Sequence, residues 1–174
     1  MDFIIYAGPQ TEVKFNKELG ISDSVVMTLA NSYLDKGHLI FTDNWYTNPI
    51  LFEKLRLRTG VCGTVRSNKA DLPTFPLKLQ NDKQTFQHTY MLLALKWRDK
   101  RDVHMLSTIH VPDMILTNKT GPAANKPIAR LLCIKDYNGN MGLVDKSDMQ
   151  ISFSECVRKT IKWYKKLFSV CLIY

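Results

Sequence analysis

Leu39-Ile40-Phe41-Thr42-Asp43-Asn44-Trp45-Tyr46-Thr47-Asn48-Pro49 is the stretch on which the fold turns. Its first half is a short apolar run, the pattern of a buried strand. The run ends on a carboxylate, Asp43. A helix start follows, with Asn48 to cap free amides and Pro49 suited to the first helical position. Asp43 is therefore predicted at the C-terminal tip of an interior strand, just before a strand-to-helix turn. In open α/β sheets ligands gather at such tips. An acid there can hold a metal, or it can simply cap local backbone amides.

Working outward, residues 3–7 read as a strand closed by Gly8-Pro9, and residues 10–21 as a charged surface loop. Ser22 or Asp23 can cap a helix reaching about Lys36. Its apolar positions Val25, Val26, Leu29, Ala30, Tyr33 and Leu34 make one face, and Gly37 ends it in a left-handed cap. After the central stretch, the helix from Pro49 is expected to run to about Arg58. Residues 61–65 then make another strand. Strand and helix alternating in this way imply a parallel arrangement with right-handed crossovers.

Beyond Arg66 the pattern changes. Residues 85–89, 90–97 and 103–110 read as strands, the last two joined by the charged turn Arg98-Asp99-Lys100-Arg101. Residues 111–126, with Pro112 and Gly121-Pro122, read as loop. A strand over 128–134 precedes Asn138-Gly139-Asn140, a turn signal. The fold class is thus α/β, interrupted by a β-rich insertion. From about Met141 the pattern is helical, and Asp145 and Asp148 fall on one helical face.

The 174 residues are 45% hydrophobic, enough for a core, and Lys+Arg exceed Asp+Glu by 24 to 16, a net charge of +8. That excess favours an anionic partner such as nucleic acid. Cys62, Cys133, Cys156 and Cys171 form no Cys-x-x-Cys pair, so neither a zinc site nor a disulfide framework is indicated, and reduced thiols are expected. The four histidines lack His-x-x-x-His spacing and read as structural or surface residues. No Gly-rich phosphate loop and no Gly-x-Ser-x-Gly elbow occurs. The apolar runs are too short to cross a bilayer, so no membrane partner is expected. The chain opens on a strand-like run and closes on Cys171-Leu172-Ile173-Tyr174, as a piece of a longer protein would.

Two features carry chemistry. Asp43 and Asp145 could share a divalent cation for phosphodiester chemistry, or both could be solvated surface acids. Lys96-Trp97-Arg98 and the run Arg158-Lys159-Thr160-Ile161-Lys162-Trp163-Tyr164-Lys165-Lys166 could grip phosphates and stack on bases. Equally, their aromatics could be core and their lysines solvated.

The residues resemble a known family. Asp43-Asn44-Trp45-Tyr46-Thr47 looks like the Asp-Asn-Trp-Phe/Tyr-Thr-Ser block of piggyBac-type transposases, and Gly63-Thr64-Val65-Arg66-Ser67-Asn68-Lys69 with Leu72-Pro73 is similar to the next block. Gly142-Leu143-Val144-Asp145-Lys146-Ser147-Asp148 resembles the Gly-Val-Asp-x-x-Asp block, and Arg158-Lys159-Thr160 with Trp163 matches the block after it. The order and spacing agree over essentially the whole chain. The resemblance covers both the transposases and the transposable element-derived proteins descended from them.

The resemblance implies an RNase H-like core whose aspartates bind Mg²⁺ or Mn²⁺, and an enzyme that cuts DNA at transposon ends and inserts at TTAA sites. Residues 1–69 would be the first part of that core, its initial strands missing, and 70–131 the β-rich insertion. Residues 132–154 would be the second part of the core, and 155–174 the start of a dimerisation and DNA-binding helical region. Asp43, Asp145 and Asp148 match catalytic acids, with Asp43 and Asp145 as metal ligands. Arg66, Lys69, Arg158, Lys159, Lys162, Trp163, Lys165 and Lys166 are the expected DNA contacts.

The complete protein would be a nuclear homodimer. The family's first catalytic aspartate lies upstream of Met1, and Asp2 does not match it. Asn48 stands where the family has Ser. The chain alone is therefore expected to be inactive. A domesticated, non-catalytic DNA-binding protein and a decayed reading frame are the rival readings.

Overall fold

The computed structural model describes residues 4, 11, 13, 18–76, 78–80, 83–98, 101–120 and 127–153. Of residues 116–120, 127–129, 143–145, 147, 148 and 150–153 only the backbone is described. The expected strand over residues 3–7 and the basic run from Arg158 lie outside this set. The chain forms two compact units, Met1–Tyr137 and Asn138–Tyr174.

The first unit is built on one five-stranded sheet. Strand β1 (Leu39–Thr42) and strand β2 (Gly60–Thr64) are joined through helix α2 (Pro49–Leu55) and pair parallel, with Thr42 opposite Gly63. This is the crossover that the alternating pattern predicted. Strands β3 (Gln84–His88), β4 (Leu93–Arg98) and β5 (Asp102–Ser107) are antiparallel neighbours. They do not form a sheet of their own. β5 pairs antiparallel with β2, with Gly63 opposite Leu106, and the order is β1-β2-β5-β4-β3. Strands read from the region 70–131 thus continue the sheet that β1 and β2 begin.

Both faces of this sheet are covered, and the two-residue period of each strand sorts its side chains between them. One face holds Val61, Ala94 and Leu106 against Ala30 and Leu34, and against Leu51, Phe52 and Leu55 of α2. Those three α2 residues are fully buried, each contributing about 1.5–3 kcal/mol. The other face holds Cys62, Leu93, Leu95, Trp97 and Met105 against Leu131, Cys133 and Ile134. Burial on both faces explains the near-continuous apolar reading of β4.

Helix α1 (Ile21–Ala30) is shorter than the sequence suggested, and its N-cap is Gly20, with no side-chain cap. Asp23 sits inside the first turn, buried, where it accepts a 2.6 Å hydrogen bond from Asn48 Nδ2. A partner 25 residues away thus takes the carboxylate that could have capped the helix. Gly37 does adopt a left-handed conformation, φ 75°.

Two other expectations are corrected. Residues 111–126 are not all loop, because Met114–Thr120 forms β6 and pairs antiparallel with β7 (Pro127–Leu131). Pro112 precedes β6 rather than interrupting it, and the rest of the expected loop, residues 121–126, lies outside the described residues. Nor is Asn138-Gly139-Asn140 a turn. Helix α3 (Leu132–Phe153) runs through it. The helix is anchored at its start by buried Cys133 and Ile134, and that burial outweighs the roughly 1 kcal/mol helix penalty of a glycine. No described helix is long and apolar enough to cross a membrane.

Candidate active site

Asp43 is the first residue after β1, exposed at the strand's C-terminal end. The turn that follows is bound tightly to it. The amides of Tyr46 and Thr47 both donate to the Asp43 carbonyl at 3.0 Å. Thr47 is fully buried, and its hydroxyl donates to the same carbonyl at 2.9 Å and shares a 2.9 Å hydrogen bond with Thr42 Oγ1. Asn48 then caps α2 as expected, its Oδ1 accepting from the Ile50 amide at 3.1 Å.

The Asp43 side chain has hydroxyl neighbours. Thr64, the last residue of β2, donates from Oγ1 to Asp43 Oδ1 at 3.3 Å and lies 3.2 Å from the Tyr137 hydroxyl. Burial pushes the Tyr137 phenol above its ordinary value of 10.0, and the nearby Asp43 charge pushes the same way, while the Thr64 bond opposes both. Tyr137 therefore keeps its proton at neutral pH and can donate it to Thr64.

Beside this tip lies an open groove of about 1010 Å³, lined in part by Asn44, Thr64, Arg66, Ser67, Asn68 and His104. Arg66 sits at its edge, its Nε 3.4 Å from Asn44 Oδ1 and its Cζ 5.0 Å from the Trp45 ring centroid. Lys69 follows on the same segment, its amide donating to the Arg66 carbonyl at 3.1 Å. Burial holds His104 below its ordinary 6.5, and the nearby Lys96 charge adds to this.

In the Lys96-Trp97-Arg98 stretch the aromatic is core, as one reading had it, but the lysine is buried and paired rather than solvated. Trp97 is 5% exposed, and the buried Lys96 ammonium donates to the Pro76 carbonyl at 2.7 Å and pairs with Asp102 at 3.1 Å. His110 is structural as well, bridging Ser107 at 2.8 Å and Asp136 at 3.1 Å.

Of the site residues expected from the sequence, Asp43 follows β1, Arg66 follows β2, and Lys69 lies three residues further on, joined to Arg66 through its amide. Sequence reasoning assigned no role to Trp45, Tyr137 or the polar groove. Tyr137 was hidden because it precedes a stretch that resembles a turn. In the second unit, Asp145 and Asp148 lie in α3, and only their backbone is described. Arg158, Lys159, Lys162, Trp163, Lys165 and Lys166 fall outside the described residues.

The Asp43 carboxylate, with the Thr64 hydroxyl beside it and the Tyr137 hydroxyl behind Thr64, offers hard oxygen of the kind that suits Mg²⁺. Asp43 fits as one ligand of such an ion. Among the described residues no group of three or more His, Cys, Asp or Glu is placed to complete a site.

The model of a DDE-type transposase family, described as Transposase IS4, matches residues 1–173. The chain belongs to this family. Its fold is similar to that of a piggyBac transposase solved by cryo-electron microscopy in a synaptic complex with hairpin DNA. The TM-score is 0.70 at 23% identity, over 91% of this chain and 34% of that one. The chain therefore spans about a third of the length of that transposase. The piggyBac-type resemblance read from the four blocks holds at the level of family and fold. DDE transposases as a family use divalent metal ions.

Proposed function

We propose that this chain is part of a piggyBac-like DDE transposase with an RNase H-like core, and that the complete protein cuts and rejoins DNA at TTAA sites. The observation that carries this reading is the position of Asp43, exposed at the C-terminal tip of a strand in a parallel pair, beside a polar groove that Arg66 helps to line. Asp43 and Asp145 are assigned as metal ligands and Asp148 as a supporting acid, on the blocks that contain them. A bound Mg²⁺ or Mn²⁺ would supply an activated oxygen nucleophile and stabilise the leaving oxygen.

The chain's own groups do the rest. Thr64 holds the Asp43 carboxylate by donating to it, and protonated Tyr137 supports Thr64. Arg66 and Lys69 bring positive charge to the segment where phosphates would lie. The basic run from Arg158 to Lys166 is assigned to further DNA contact. On this reading the complete protein works in the nucleus as a homodimer on transposon ends.

Residues 1–174 supply two of the three principal carboxylates that the family's chemistry needs, so this polypeptide alone should bind DNA without transposing it. The test is DNA binding and excision from a TTAA-flanked substrate, with and without Mg²⁺. Binding that weakens with salt and persists in EDTA and in Asp43→Asn, with no product, is the expected result. Metal-dependent product from the chain alone, abolished by Asp43→Asn, would refute the claim of inactivity. A complete protein in which Asp43→Asn leaves excision intact would remove Asp43 from the chemistry. A complete protein that binds DNA in a salt-dependent way but gives no metal-dependent product would favour the alternative, a domesticated DNA-binding protein without catalysis. Absence of cooperative unfolding in the chain would favour a decayed reading frame.

A further inference from the structure

Trp45 is 58% exposed, although it sits two residues from the catalytic-site carboxylate and has the same composition as Trp97, which is 5% exposed. Isolated exposed apolar side chains are ordinary and need no explanation. This one differs because the surrounding structure holds it in place. The turn beneath it is fixed by the Tyr46 and Thr47 amides on the Asp43 carbonyl. Arg66 lies over the ring at 5.0 Å from its centroid and is itself steadied by Asn44 Oδ1 at 3.4 Å. A cation over an indole is attracted by the ring's negative face.

The groove beside the pair restricts what could rest on it. Its lining is polar at Asn44, Thr64, Ser67 and Asn68. Lys96, also in the lining, is paired with Asp102, and burial holds His104 below its ordinary value. Arg66 is then the lining residue, among those described, whose positive charge faces the groove without a carboxylate on it. A ligand suited to this surface is flat and aromatic at one point and anionic next to it. A nucleotide has both properties, whereas an apolar peptide has neither. The base must be unpaired, since a paired base already has its faces covered by stacking in the duplex.

We infer that Trp45 and Arg66 form a stacking platform for an unpaired nucleobase of the DNA strand next to the phosphate at Asp43. Arg66 then acts by steadying the indole and attracting the adjoining phosphate together. This inference rests on the DNA-processing reading above and deepens it.

The test uses the 174-residue chain, two labelled oligonucleotides of equal length and charge, and fluorescence anisotropy. One oligonucleotide is a hairpin with unpaired thymidines in its loop, and the other is fully paired. The wild-type chain should prefer the hairpin. Trp45→Ala should weaken hairpin binding by roughly tenfold or more, the scale of one base–aromatic stack, and leave duplex binding unchanged. Trp45→Phe should retain most of the preference, because a ring remains. The hairpin should quench the wild-type indole emission more than the paired oligonucleotide does, and Trp45→Phe should lose that difference. Trp45 is exposed, so matching thermal melts will show that the variants fold.

Equal weakening of both oligonucleotides by Trp45→Ala, or no weakening, overturns the platform and leaves the DNA reading intact. Lost self-association in Trp45→Ala with unchanged DNA binding also overturns it, in favour of a second copy of the chain as the occupant. If the wild-type chain binds neither oligonucleotide at low salt, the DNA reading falls and the platform falls with it.

Discussion

Gly63 has no room for a side chain, and replacing it tests the geometry that sets Asp43. A Cβ built on Gly63 meets Thr47 Oγ1 at 2.5 Å and the Thr42 carbonyl at 2.6 Å, and it runs into Thr42 Oγ1 as well. To regain a tolerable 3.0 Å the Thr47 hydroxyl would retreat by roughly 0.5 Å, although it is fully buried. Thr42 cannot yield its carbonyl, because β1 is registered against β2 at that very pair. Gly63→Ala therefore combines overpacking, about 1–3 kcal/mol, with loss of the Thr42–Thr47 hydroxyl bond, about 0.5–1.5 kcal/mol. A total of about 2–4 kcal/mol corresponds to a Tm lower by about 5–15 °C for a chain of this size. Gly60→Ala is the control. The nearest atoms to its Cβ are side-chain methyls of Ile109 and Leu39 rather than backbone, and these residues are 37% and 54% exposed and can move. Thermal unfolding followed by circular dichroism should rank the wild type and Gly60→Ala clearly above Gly63→Ala. A Gly63→Ala melt within about 2 °C of wild type would show that the strand tip yields freely, and the argument for a fixed Asp43 would fail.

Three further outcomes follow from the structure. Hydrogen bonds from Arg98, and then from Lys96, hold Asp102 below the ordinary 3.8, so the stability it provides is complete above that value and fades as the pH falls through the lowered one. Asp102→Asn should be less stable at neutral pH and should lose this part of the acid response. Coincident acid-unfolding curves for the two proteins would contradict it. Burial, reinforced by Cys133, pushes the Cys62 thiol up to about 12, and burial pushes Cys133 up to about 11. At pH 8 at least two of the four thiols should resist a disulfide reagent until the chain is denatured, and immediate reaction of all four would refute it. Finally, a Cβ on Gly142 meets nothing within 4 Å, so Gly142→Ala should stabilise α3 by about 0.5–1 kcal/mol. Lower helicity in that variant would count against a helix through this residue.

Local signals made the central part of the first unit legible. Thr42-Asp43 ended a strand, Asn48 and Pro49 opened a helix, and the parallel β1–β2 pair followed from the crossover between them. The failures came from contacts that only the fold makes, which local composition does not announce. Asp23 could have capped α1, but Asn48 takes its carboxylate. Asn138-Gly139-Asn140 has turn composition, yet α3 is already under way from buried Cys133 and Ile134. That β5 joins β2 depends on a register between Gly63 and Leu106, and neither residue announces it. At the candidate site, Asp43, Arg66 and Lys69 were singled out from their blocks, and Asp43 does stand at a strand tip as its local sequence predicted. Trp45 and Trp97 could not be told apart by type, because exposure belongs to the fold and not to the side chain.

The tightly bonded turn after β1 has a consequence for how such a site can change. Ordering a residue's backbone costs roughly 1–2 kcal/mol. For Asp43 that entropy is lost during folding, through the Tyr46 and Thr47 amides and the Thr47 hydroxyl, so it does not have to be lost again when a substrate arrives. The Asp43 backbone is preorganised by main-chain and buried groups, while Trp45 and Tyr46, on the same turn, present their surfaces to solvent. On the proposed function, what the turn recognises can therefore drift by substitution at its outward positions while the acid stays where it is, so that recognition and chemistry evolve at separate rates on one short piece of backbone.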